Sequence, residues 1–150
     1  MKWLKSQKNK ILQSLRKINV ASMGFDLLIL STGVSGIIKS SEWINSAPTK
    51  FQSVTPFYRN INQMIDLQTV GWFLLISSLL LLSSVFIRTP NEHRLMIIGG
   101  LSSGIIYFIY GILAVDQATL YTTYYNNLIN GGVQILIAGM GAISLWKTKK

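Results

Sequence analysis

The chain has 150 residues, of which 49 % are hydrophobic and 13 % charged, with a net charge of +9 and no cysteine. A soluble domain carries roughly 25 % charged residues, so the composition points away from a water-solvated fold. It also excludes disulfides, thiolate metal sites and dithiol redox chemistry.

The length allows one domain. A charge of +9 on a soluble domain would suggest nucleic acid. Here the basic residues flank apolar blocks, so they read as topology signals and as attraction to anionic lipid at a cytoplasmic face, with no nucleic acid as partner.

In chain order, residues 1–17 carry Lys2, Lys5, Lys8, Lys10, Arg16 and Lys17 and no acid. Leu4, Ile11, Leu15 and Ile18 recur on one helical face, which predicts a basic amphipathic segment lying on the membrane surface. A solvated basic tail is the plainer alternative. Residues 18–38 form the first apolar block, interrupted by Asn19 and Asp26. It is too long for a signal-peptide core and no small-residue cleavage site follows, so a retained helix is expected. Residues 39–69 are the longest polar connection, broken by Pro48 and Pro56. Trp43, Phe51, Phe57 and Tyr58 suit a loop lying against a membrane interface. Ile61, Met64, Ile65 and Gln68 share a face, so a helix starting near Phe57 and continuing into the next block is expected.

Residues 70–87 and 95–115 are uncharged apolar runs joined by the polar connector 88–94. Each is long enough to cross a hydrocarbon layer of about 30 Å, and together they read as a transmembrane hairpin. Residues 116–128 are a second connection without Lys or Arg, carrying Tyr121, Tyr124 and Tyr125. Residues 129–146 are the fourth span and 147–150 a basic tail. With both ends cytoplasmic, eleven of the fourteen Lys and Arg residues fall inside and three outside, the distribution of a positive-inside protein. The predicted fold is an all-α integral membrane protein, a four-helix transmembrane bundle of a bacterial or phage-encoded cell-membrane protein.

Asp26 is the sharpest polar feature, about 12 Å inside the first span at 1.5 Å per residue. A carboxylate at that depth costs about 2.5–3.5 kcal/mol on insertion scales, so it should face the bundle or be protonated. Counted from the inner ends of the other spans, Ser77, Ser78, Ser102 and Ser103 lie at a similar depth, which predicts a polar layer. Its functional form is a proton or ion site. Its structural form is an acid hydrogen-bonded to serines that fixes packing. Gly100 and Gly104 form a GxxxG element continued by Gly111, and Gly132 and Gly139 are seven apart in the fourth span. Ser31 and Ser35 add small residues to the first. Such faces let membrane helices approach closely. Gln134, Tyr107 and Tyr110 are expected as interhelical hydrogen bonds or interface anchors, or as the lining of a cavity.

His93 and its neighbour Glu92 read as a solvated loop pair. No nucleophile–base pair, phosphate loop or metal-ligand spacing is present, so no catalytic residue, metal or cofactor is expected. Four spans, a long first outer loop and Arg88 directly after the second span resemble the layout of DoxX-type small membrane proteins. Small size with basic tails resembles some phage holins. Neither layout implies particular site residues. The leading expectation is a non-enzymatic protein acting through helix–helix association with itself or another membrane component, in an accessory or immunity-like role. The alternatives are a small proton-coupled carrier centred on Asp26 and a holin-like permeabilising protein, with an enzyme acting on lipid or quinone more remote.

Overall fold

The computed structural model describes residues 20–45, 66–87, 90–115 and 121–148. They form four α-helices: α1 Val20–Asn45, α2 Leu67–Phe86, α3 Pro90–Val115 and α4 Tyr121–Thr148. All four are long and apolar enough to cross a membrane. The shortest, α2, has 20 residues, about 30 Å of helix.

The helix limits differ from the apolar blocks. Lys39–Asn45 belong to α1 rather than to the connection 39–69, residues 90–94 to α3, and 121–128 to α4. Helix α2 does not continue from a segment starting near Phe57. It begins at an N-cap on Asp66, whose backbone is extended and whose carboxylate accepts the N–H groups of Gln68 and Thr69. The Thr69 hydroxyl also donates to Asp66. That bond and the two amide donors hold the carboxyl below its ordinary value, as acceptance of donors by the charged form requires. Pro90 opens α3, where a missing N–H costs nothing. The basic segment 1–17, the stretch 57–65 and the tail 149–150 lie outside the described residues.

The helices pack in sequence. α3 and α4 form the closest pair, α1 lies on α2 and α2 on α3, while α1 touches α4 only slightly. Glycines set the close approaches. A Cβ on Gly99 would lie 2.7 Å from the Leu81 backbone nitrogen and 2.8 Å from the Ser77 carbonyl oxygen, so α2 and α3 meet backbone to backbone there. A Cβ on Gly36 would overlap Ser78 Oγ. Along the α3–α4 seam, Gly100 faces the Gln134 carbonyl and Ala138, Gly104 faces Gly131 and Ile135, and Gly111 faces Leu128. Small residues that let backbones approach this closely are typical of contacts between membrane helices.

Two apolar clusters occupy the interior. One, at the end where α1 and α3 finish, contains Trp43, Leu67, Leu74, Tyr107, Tyr110 and Ala114. The other, nearer the start of α1, contains Ile29, Leu81, Met96 and Ile137. Between them lies a polar waist of buried Ser77, Ser78, Ser103 and Gln134. The outward surfaces are apolar on every helix: Ile38, Phe73, Ile112 and Leu136 are all more than half exposed. Exposed apolar area on this scale is foreign to a monomer in water and ordinary against hydrocarbon.

Candidate functional site

The first polar set predicted from sequence does not assemble. Helix α1 runs antiparallel to α2 with Gly33 against Leu82, Gly36 against Ser78 and Gly71 against Trp43. In that register Asp26 falls near the end of α2. Gly36, which meets Ser78, lies roughly 15 Å further along α1. Asp26 is half-buried, and the serines do not turn toward it. Ser77 donates to the Phe73 carbonyl at 2.8 Å and Ser103 to the Gly99 carbonyl at 2.6 Å, each within its own helix. Ser102 is exposed on the α2–α3 flank. The predicted polar layer therefore separates into a waist and an acid below it. The reason is that α1 is displaced along its axis against α2, as the contacts of Gly33, Gly36 and Gly71 set it.

The residues that α1 adds beyond the apolar block, Lys39–Asn45, hold the strongest site in the molecule. Lys39 lies on the inner side of α1, half-buried, with its Nζ donating to Asn127 Oδ1 of α4. The ammonium sits 4.5 Å from the ring centroid of Tyr110, 5.5 Å from that of Tyr107 and 5.6 Å from that of Trp43. Trp43 and Tyr110 are in tilted contact at 4.8 Å. Each part of the cage has a sequence cause. Trp43 follows Lys39 by four residues and so stands one turn above it. Tyr107 and Tyr110 are three apart on α3, presenting both rings to one point. Asn127 comes from the first part of α4. An ammonium within about 6 Å of an aromatic face is attracted by the ring quadrupole, by about 0.5–2 kcal/mol according to its desolvation. A hydrogen bond to a charged group adds about 1.5–3 kcal/mol. Together these match in size the cost of about 2.5–3.5 kcal/mol that a lysine meets inside a membrane span.

The cage forms one wall of a groove of about 640 Å³ that opens sideways on α1. Leu27, Leu30, Val34 and Ile38 line its length, and Lys39, Glu42 and Tyr110 its end. Glu42 is exposed there. Below the cage, Ser78 Oγ and Tyr107 Oη are buried without a well-formed hydrogen bond among the described residues. Both converge on Gly36. Gln134 Oε1 is in the same condition, so the expected interhelical hydrogen bond is not realised through that atom among these residues, whereas Tyr107 has the Ser35 hydroxyl of α1 as a polar neighbour across the helices. Tyr110 does line a groove.

Of the predicted small-residue face, Gly100, Gly104 and Gly111 are at the α3–α4 seam. Gly132 and Gly139 are not. A Cβ at either would meet nothing within 4 Å, and the α4 side of the seam is made by Gly131, Ala138 and Gly141. Gly132 and Gly139 instead share an outward stripe with Leu136 and Ile143. His93 is not a solvated loop residue. It lies in α3, half-buried, with its carbonyl against Gly141. Among the described residues no three His, Asp or Glu side chains gather to hold a metal.

The site and fold define a small all-helical bundle of four apolar helices with one caged lysine. No protein-family model, curated protein or solved structure matches the chain. The layout resemblances to DoxX-type proteins and to holins therefore gain no family assignment.

Proposed function

We propose that this chain is a non-enzymatic multi-pass protein of the cell membrane, both ends cytoplasmic, that acts by helix–helix association with itself or another membrane protein. The observation that carries the reading is the outward stripe of α4. The glycines of α3 are consumed in contacts with α2 and α4, and so are Gly131 and Gly141, whereas a Cβ on Gly132 or Gly139 would meet nothing within 4 Å beyond its own stretch of helix among the described residues. Glycine weakens a helix relative to alanine, so an unpacked pair at heptad spacing is accounted for by a second helix that packs there. The apolar surface of all four helices and the excess of basic residues at the ends support the membrane orientation. No specific observation favours the carrier centred on Asp26 or the permeabilising reading.

The absence of native cysteine makes single-cysteine variants clean reporters. In native membranes Gly139→Cys, and the milder Ala142→Cys, are expected to cross-link to a second copy or to one discrete partner band. Leu101→Cys on the exposed side of α3 is expected to give none. A protein that stays monomeric at both α4 positions and copurifies with nothing contradicts the association reading.

A further inference from the structure

Ser31, Ser35 and Lys39 stand four residues apart along α1, and all three line the groove. Polar side chains therefore share one face over roughly 12 Å. The depth of that face follows from the helix register. Gly36 meets Ser78 and Gly71 meets Trp43, so Lys39 is level with the middle of α2, roughly 10 Å or more from either end of it. Polar groups at such depth face a bundle interior or a water-filled cavity and find partners there. These three have donors to spare. On the same helix Thr32 gives its hydroxyl proton to the Leu28 carbonyl at 2.9 Å, and Ser40 and Ser41 give theirs to the Ile37 carbonyl at 2.8 Å. Ser31 and Ser35 make no such bond among the described residues. Lys39 has three donors, and Asn127, a neutral partner, engages one. Glu42 acts on the ammonium through space, from an exposed position one turn further along α1. We propose that the groove is a water-filled inlet that binds one small monovalent inorganic anion at mid-span, between the Lys39 ammonium and the Ser35 hydroxyl, with Ser31 as a second hydroxyl one turn further in.

The ammonium sets the sign of the ligand. Hydroxyls alone would serve a cation or an anion, because each both donates and accepts. One cation with a carboxylate on its outer side balances a single negative charge and disfavours a dianion. A lipid phosphate stays at the headgroup layer, about 15 Å from the middle of the hydrocarbon, whereas a hydrated halide is small enough to reach Lys39 along the groove. Behind Ser35 the buried Tyr107 hydroxyl is its polar neighbour across the helices. In the bound state it donates to Ser35 and so turns the Ser35 proton toward the anion. The inference rests on the membrane reading, because only low-dielectric surroundings make one ammonium and one hydroxyl sufficient. It does not rest on the α4 stripe.

The test is chlorine nuclear magnetic resonance of the full chain in uncharged detergent, with chloride varied against gluconate at constant ionic strength. The wild type is expected to broaden the chloride line saturably, above the linear background from surface lysines. Iodide is expected to reverse the broadening where sulfate does not. Ser35→Ala is expected to weaken binding roughly tenfold, the worth of one hydrogen bond to a charged group. Glu42→Gln removes a negative neighbour and is expected to tighten binding several-fold, a change that a merely structural role for this exposed residue would not produce. Lys39→Met is expected to abolish the saturable component. Broadening that stays linear in chloride, reversal by sulfate as readily as by iodide, or affinity unchanged in Ser35→Ala or Glu42→Gln overturns the proposal. Ser35 and Glu42 lie at the groove surface, so their variants decide the matter even if Lys39→Met fails to fold. Recovery of the chain without detergent would instead sink the membrane reading itself.

Discussion

Replacing Gly99 with alanine is expected to destabilise the bundle sharply, while the same change at Gly132 leaves it as stable as before. At Gly99 the added methyl would lie within 3 Å of the backbone nitrogen of Leu81 and of the Ser77 carbonyl oxygen. Backbone atoms have no rotamer to escape into, so α2 and α3 must separate or bend. Overpacking of this kind costs about 1–3 kcal/mol, and here the clash is with a rigid helix on both counts. At Gly132 nothing lies within 4 Å, so alanine adds only its better helix propensity. Denaturant or thermal unfolding in micelles, read by circular dichroism, measures both. Equal losses at the two positions would mean that the register of α2 on α3 is wrong.

The second large effect is expected at Lys39. Truncation to alanine removes a charged hydrogen bond and the cation from three aromatic faces. It also takes the ammonium donor away from the Asn127 amide oxygen and opens a gap beside it. The expected loss is about 2–3 kcal/mol. Lys39→Met keeps most of the stem volume and removes only the charge, so it is expected to lose less, as replacement of buried charge by a packed apolar group often does. A double-mutant cycle between Lys39 and Asn127 is expected to give a coupling of about 1 kcal/mol or more. Additive effects would place the two side chains apart and remove this polar tie between α1 and α4.

Lys39 also marks where reading from sequence stops. The four helices are legible because hydrocarbon imposes length and apolarity on any spanning segment, and these show as uncharged runs around Val70–Ile87 and Leu95–Val115. A lysine at the end of such a run reads as its boundary. Whether it instead lies inside depends on Tyr107, Tyr110 and Asn127, which are distant in sequence and meet it only once the helices pack. The local hint is Trp43, one turn above Lys39 and on its side of the helix. The same displacement of α1 explains Asp26. Depth counted from the edges of apolar blocks assumes that all four helices start level, and the glycine contacts at Gly33, Gly36 and Gly71 set α1 elsewhere. The small-residue face of α3 is legible because GxxxG at Gly100 and Gly104 has one geometric meaning. On α4, glycines on two neighbouring rows compete, and composition alone does not say that Gly131 packs while Gly132 faces out.

The account depends on four crossings of a bilayer with both ends on one side, and single-cysteine labelling with a membrane-impermeant maleimide tests that directly. Ser6→Cys, Asn91→Cys and Lys149→Cys are expected to react only after the cells are permeabilised, and Asn60→Cys and Thr119→Cys in intact cells. Reaction of Asn91→Cys on the opposite face from Ser6→Cys, or of the two end positions on different faces, would contradict it.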